Sequence, residues 1–276
     1  MVHFVGAGPG AADLITVRGQ KLIREADVII YAGSLVNPEL LKEKKEACQV
    51  YNSAHMTLEE VIRVMEEAEK KAFATVRLHT GDPSIYGAIR EQMDLLKKRG
   101  IPFDVCPGVS SFCGAAAALG AEYTLPGVSQ TVIISRMEGR TPVPDREKIK
   151  SLAVHQSSMV LFLSTGLLEK LQRELMEGGY DSDTPAAIVY KATWPEEKVL
   201  FCTVASLFET AERYHITKTA LILVGRFLDG EYERSKLYDP SFTTEYRRGT
   251  DADGMADSDM SNREAPNQGA DKEKET

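Results

Sequence analysis

The stretch V5-GAGPGAADLI-T16 follows an apolar run and precedes a helical pattern, and its reading decides the fold. Val2 to Gly6 reads as a buried strand, and glycines behind a strand let the backbone approach another group closely. Taken alone, Gly6, Gly8 and Ala11 fit a loose dinucleotide fingerprint. Two features oppose that reading. Pro9 removes a backbone N–H that a phosphate would take. The helical pattern starts only after Thr16, a good cap for Val17 to Glu25, so its N-terminus is not aimed at the loop. The next strand, Val28 to Tyr31, also ends without an acid to hold a ribose. The stretch is therefore either a plain strand–helix turn or a loop shaped for a ligand other than a dinucleotide.

Outward from this loop, apolar runs alternate with helical patterns. Leu58, Val61, Ile62 and Met65 recur at helical spacing behind the cap Thr57. Thr75 to His79 reads as a strand, followed by a helix from Ser84 to Arg99 that Gly100 ends. Phe103 to Cys106 is a short strand, and Ser111 to Leu119 a small-residue helix able to pack closely on another element. Strands are expected again at Thr131–Ser135, Met159–Leu163, Ala186–Tyr190, Lys198–Cys202 and Ala220–Val224. Helices are expected at Asp145–Ala153, Leu167–Glu177 and Ala205–Arg213. Such alternation implies an α/β fold. The punctuated segment Gly120 to Gln130 is the expected link between two α/β domains, 1–119 and 120–240. No internal repeat is evident.

Composition narrows the function classes. The net charge of −8 is uneven: eight acidic and three basic residues give the tail 251–276 a charge of −5, leaving −3 on the other 250 residues. The tail is polar and nearly free of aromatics, and is expected to be disordered. A near-neutral body argues against nucleic-acid binding, which needs a basic face. No apolar run approaches the ~18 residues of a membrane span, and Met1 to Gly6 lacks the regions of a signal peptide. A cytoplasmic protein is expected. Cys48, Cys106, Cys113 and Cys202 show no CxxC pairing and the five histidines are scattered, so no metal site is expected.

Two further segments fall at strand ends. In LHTGDPSIYG (Leu78 to Gly87), Gly81 turns the chain and Asp82 sits at the mouth of the sheet, where parallel strands bind ligands. Asp82 either accepts hydrogen bonds from a ligand or caps the following helix. In PGVSSFCGAAAALG (Pro107 to Gly120), Ser110 or Ser111 can cap the helix and touch a ligand, or the segment is a packing surface.

Together, in this order, the three segments resemble the tetrapyrrole (corrin/porphyrin) methylase family over Val2 to Tyr238. The family opens with a glycine–proline loop and Asp-Leu-(Ile/Leu)-Thr, followed by Gly-Asp-Pro and Pro-Gly-(Val/Ile)-Ser/Thr-Ser/Ala segments. YAGSLV (Tyr31 to Val36), SAHMTLEE (Ser53 to Glu60), LPGVSQTVIISRMEGRTPVP (Leu125 to Pro144), LFLSTG (Leu161 to Gly166) and VYKATWPEEK (Val189 to Lys198) are similar to its branch acting at C11 of precorrin-4 or cobalt-precorrin-4. The resemblance implies two α/β domains with a ligand cleft between them, a homodimer, and S-adenosylmethionine as methyl donor to a tetrapyrrole substrate in cobalamin biosynthesis. Pro9, Thr80, Gly81, Asp82, Ile85, Ser110, Ser111, Leu163 and Ala192 match the family's cofactor contacts. Uroporphyrinogen methylases carry an acid in the YAGSLV region and a lysine in the SAHMTLEE region. Here Ala32 to Ser34 and Ser53 to His55 stand there, which disfavours the early-pathway substrate.

Methyl transfer from a sulfonium asks mainly for positioning. No catalytic residue is evident, and His55 and Tyr86 are the available proton acceptors. Arg136, Arg140 and Lys191 lie in the substrate-like segments and suit a ring bearing many carboxylates. Alternatives are methylation at precorrin-2 C20, precorrin-3 C17 or uroporphyrinogen III, and, outside the family, a nicotinamide-dependent oxidoreductase.

Overall fold

The computed structural model describes residues 1–250; the tail expected to be disordered lies outside the described residues. Met1–Tyr232 forms one compact unit, and the described residues from Glu233 to Thr250 belong to a second. Within the second, a short 3-10 helix at Lys236–Tyr238 is capped by Ser235, and Arg247 donates to the Leu237 and Phe242 carbonyls.

The first unit holds two five-stranded sheets. β1 (Val2–Gly6), β2 (Val28–Tyr31), β3 (Gln49–Asn52), β4 (Thr75–His79) and β5 (Phe103–Cys106) pair in the order β3-β2-β4-β1-β5, all parallel. From β1 the chain crosses toward the β3 edge, and from β4 toward the β5 edge. The carboxyl ends of these two adjacent strands thus form a switch point, where open α/β sheets hold ligands. α1 (Val17–Glu25) begins at Thr16, whose side chain accepts from the Gly19 N–H, several residues beyond the glycine loop as expected. α2 (Leu58–Lys70) carries a capping box between Thr57 and Glu60 and buries Val61, Ile62 and Met65. Each such side chain contributes about 1.5–3 kcal/mol by leaving water.

α3 (Ile89–Lys98) is shorter than its sequence pattern predicts. Residues 83–88 form a turn because Tyr86 and Ala88 adopt left-handed backbone, φ 55° and 50°. In addition, the Asp82 carboxylate takes the Ser84 N–H at 2.8 Å. β3 has no counterpart in the expected strands: it is four residues long, lies at the sheet edge and is half exposed, so it lacks a clean alternation.

The second sheet orders β6 (Val132–Arg136), β7 (Ser158–Phe162), β8 (Pro185–Tyr190), β9 (Lys198–Thr203) and β10 (Ala220–Val224) as β6-β7-β10-β8-β9. Only β6 and β7 are parallel, and the other pairings are antiparallel. α5 (Ile149–Ala153), α6 (Leu168–Glu177) and α7 (Leu207–Arg213) cover one face around Leu171, Leu175 and Leu207. The other face meets α4 (Ser111–Leu119), where Ala115 packs with Val160, Ala187 and Leu223. The alanine-rich helix therefore joins the two lobes. The segment expected as a link, Gly120 to Gln130, is anchored in the same cluster by Tyr123. The Tyr123 hydroxyl donates to the Phe112 carbonyl at 2.7 Å. Cys48 and Cys106 are buried, whereas Cys113 is exposed.

Candidate active site

Three strand-tip loops meet at the carboxyl ends of β1, β4 and β5. Their glycines bring backbone onto backbone: a Cβ on Gly6 would stand 2.5 Å from Gly108 Cα, and one on Gly108 would stand 2.7 Å from Gly6 Cα. The Gly6 position thus serves loop-to-loop contact rather than direct approach to a ligand. Gly8, at φ 80°, and Gly81, at φ 62°, exchange backbone hydrogen bonds of 3.3 and 2.9 Å. Asp82 completes the lock. One oxygen accepts from Ser84 and the other from the Gly108 N–H at 2.8 Å. Burial pushes its carboxyl pKa up, but the hydrogen bonds from Ser84 and Gly108 outweigh this and hold it below the usual range. Both oxygens are thereby engaged by the protein, in a turn rather than a helix cap.

The second lobe reaches this platform through the β8–β9 connection. Trp194 lies so close to Gly10 that a Cβ there would overlap its indole, and the Ala11 N–H donates to Thr193 Oγ1 at 2.9 Å. Between the lobes is a cavity of about 600 Å³, within the ordinary range of small-molecule sites. Pro9, Thr80, Gly81, Asp82, Ile85, Ser110 and Ser111 line it from the first lobe, and Leu163 and Ala192 from the second. All nine residues singled out by sequence as cofactor contacts therefore border one space. Ser110 occupies the N-cap position of α4 without a side-chain capping bond.

The wall from the second lobe is strained. Of the nine non-glycine residues with left-handed backbone among the described residues, four line the cavity: Leu163, Lys191 and Thr219 from the second lobe, and Tyr86 from the first. Such conformations cost of order 1–3 kcal/mol each and persist where surrounding structure imposes them. Leu163, at φ 52°, remains 70% exposed, an apolar side chain presented to open space.

The expected substrate and proton-transfer residues separate. Lys191 lines the cavity, its ammonium 5.5 Å from the Trp194 ring and 3.6 Å from Glu196. Arg136 does not: its guanidinium donates to the Met137, Thr141 and Pro142 carbonyls at 3.0–3.1 Å, stapling the loop after β6. Arg140 is exposed and outside the lining. Tyr86 borders the cavity with its ring 5.4 Å from Phe162, and burial raises its phenol pKa. His55 is exposed in a 3-10 helix and is not part of the wall. Arg77, His79 and Lys218 also line the cavity, and none of them is among the site residues expected from the sequence. The signal for the first two was available: an arginine and a histidine alternate with apolar residues inside a central strand, where charge is rarely buried unpaired.

A family model of the tetrapyrrole (corrin/porphyrin) methylases matches residues 1–207. The chain belongs to this family. This tetrapyrrole methylase is 54% identical over 248 residues to the cobalt-precorrin-4 C(11)-methyltransferase of Methanocaldococcus jannaschii, covering 90% of this chain and 96% of that protein. Its fold is similar to the X-ray structure of a cobalt precorrin-4 methyltransferase, with a TM-score of 0.81 and 47% identity over 83% of this chain and 96% of the other. A second tetrapyrrole methylase structure, the uroporphyrin-III C-methyltransferase of Thermus thermophilus complexed with S-adenyl homocysteine, aligns with a TM-score of 0.69 and 25% identity, over 84% of this chain and 95% of that one. The family expected from the three loops is thus the family found, and the two-sheet α/β architecture agrees with it.

Proposed function

We propose that the chain transfers the methyl group of S-adenosylmethionine to C11 of precorrin-4 or cobalt-precorrin-4, in cobalamin biosynthesis. The observation that carries the reading is the single cavity bordered by all nine residues matching the family's donor contacts, in a chain 54% identical to a relative bearing that activity in its name. The lining suits a donor held mainly by backbone. It offers close-packed loops, the Ser110 and Ser111 hydroxyls and the exposed Leu163, and its only acid, Asp82, is bonded to the protein. The cofactor's sulfonium supplies an activated methyl group. The chain's task is then to orient two reactants and exclude water, which can remove several kcal/mol of the barrier.

The charge of the wall favours an acidic substrate. Arg77, Lys191 and Lys218 border the cavity against Asp82 alone, in a chain of net charge −8. Lys191 and Lys218 are the cations we assign to ring carboxylates; Arg136 is occupied by backbone carbonyls. Tyr86 is the one expected proton acceptor at the cavity, and its raised pKa keeps it protonated near neutral pH, a poor base. Any cobalt arrives within the substrate. With this reading go the homodimer that the resemblance implies and the cytoplasmic location expected from the sequence.

The test supplies methyl-labelled S-adenosylmethionine with precorrin-4 and cobalt-precorrin-4 side by side, and maps the product by NMR. Label at C11 of either ring is expected. Label at C17 or C20, or on uroporphyrinogen III alone, would move the assignment to another branch of the family.

A further inference from the structure

Alternate residues of the central strand β4 place Thr75, Arg77 and His79 on one face of the first sheet. Arg77 is 7% exposed and His79 3% exposed. The guanidinium donates from Nε to Gln92 Oε1 at 3.1 Å and from Nη1 to the Ile30 carbonyl at 3.2 Å, both neutral acceptors. Among the described residues no carboxylate pairs with it. Burial alone lowers its pKa, to about 10. His79 Nε2 is buried and has no hydrogen-bond partner. Burial, then the charge of Arg77, push its pKa down to about 3, so the ring is neutral and carries an N–H. Both residues line the cavity.

Buried charge is normally paired and buried polar atoms are normally bonded. Here a cation without an anion and an imidazole with an unused nitrogen stand two residues apart at one wall. A ligand carboxylate answers both, since it can take the guanidinium N–H groups left free on Nη1 and Nη2 together with an imidazole N–H. We propose that Arg77 and His79 form a carboxylate subsite of the cavity. The proposal rests on the methyl-transfer reading only for the identity of the carrier, which is either the amino-acid carboxylate of the donor or an acid arm of the ring. No part of the β4 fold needs the His79 nitrogen, so its role is visible only with ligand present.

The test uses calorimetry on the full chain, wild type, His79→Leu and Arg77→Lys. The probes are S-adenosylhomocysteine, methylthioadenosine, which lacks the amino-acid carboxylate, and uroporphyrin, a stable ring with acetate and propionate arms. Hydrogen bonds to a charged group predict affinity losses of roughly 10- to 100-fold in either variant for the probe whose carboxylate is held. Weaker S-adenosylhomocysteine binding with methylthioadenosine unchanged supports the subsite and assigns it to the donor. Weaker uroporphyrin binding with S-adenosylhomocysteine unchanged supports it and assigns it to the ring. His79→Leu should also leave the melting temperature of the ligand-free protein unchanged or higher, because an unbonded buried nitrogen is removed. A lower melting temperature with unchanged affinities would make the histidine structural and overturn the proposal. Wild-type affinities for all three probes in both variants would overturn it while leaving the methyl-donor reading intact. Uroporphyrin binding weakened by the variants, without any S-adenosylhomocysteine binding by the wild type, would keep the subsite and reject the donor. Binding of no probe by the wild type would reject both.

Discussion

The two walls of the cavity achieve their shapes by opposite means. The first-lobe wall is backed by glycines so close that its loops touch backbone to backbone, with Gly6 and Gly108 packed behind the lining Gly81. The second-lobe wall is made of residues with side chains, Leu163, Lys191 and Thr219, held in left-handed backbone. The first wall is rigid because nothing larger fits. The second carries strain in exchange for presenting an apolar chain and an ammonium to the ligand. One wall therefore fixes the platform, and the other supplies the contacts.

If that contrast holds, substitutions on the two walls behave differently. The largest effect is expected at Gly108→Ala. Its Cβ would collide with the Gly81 carbonyl and stand 2.7 Å from Gly6 Cα, all backbone that cannot swing aside. A loss of about 3 kcal/mol or more in urea unfolding is expected, the upper end for overpacking. A change below about 1 kcal/mol would mean that the loops yield.

Asp82→Ala comes next. It strips the Gly108 N–H of its acceptor and the turn at Ser84 of its anchor, with an expected loss of about 1–3 kcal/mol. The sign with pH follows from the depressed carboxyl pKa. The contribution is fully present above the ordinary aspartate value of about 3.9 and is lost as pH falls through the lower folded value. The gap in unfolding free energy between wild type and Asp82→Ala should therefore be flat near neutrality and close on acidification below about pH 4. A gap that widened with acid would contradict the hydrogen-bonded carboxylate.

On the strained wall, Leu163→Gly should have a smaller and opposite effect on stability. Removing a left-handed leucine returns about 1–2 kcal/mol, and glycine's extra chain entropy takes back about 0.5–1. The protein should be unchanged or up to about 1.5 kcal/mol more stable, while affinity for S-adenosylhomocysteine falls severalfold because the exposed apolar chain is gone. Destabilisation comparable to Gly108→Ala would erase the distinction between the walls. The smallest effects are expected from Tyr86→Phe and His55→Gln. Loss of a true proton acceptor costs about 10²–10⁴ in rate; either variant is expected to stay far below that in kcat, and His55→Gln to be silent.

Much of the platform was legible because its causes are local. Thr16 and Thr57 cap where their spacing predicts, and the three loops follow strands whose apolar runs are continuous. The turn at residues 83–88 was hidden, since Ser84 to Arg99 reads as a helix and only the left-handed Tyr86 and Ala88 break it. The antiparallel second sheet was also hidden: apolar runs in a buried strand carry no direction, and β10 inserts between β7 and β8 through tertiary pairing alone. Arg136 looked like a free fork for carboxylates because sequence does not reveal which carbonyls a loop will fold over it. Residues Arg77 and His79 stood in plain view in TVRLH, but their meaning depends on the absence of partners, which only packing reveals.

The claim on which the rest depends is that one space between the lobes holds the methyl donor. A crystal structure of the chain with S-adenosylhomocysteine tests it most directly. The adenosyl and amino-acid moieties are expected in the cavity, bordered by Pro9 and Asp82 on one side and by Leu163 and Ala192 on the other. Density for the ligand at any other place, with that cavity empty, would contradict it.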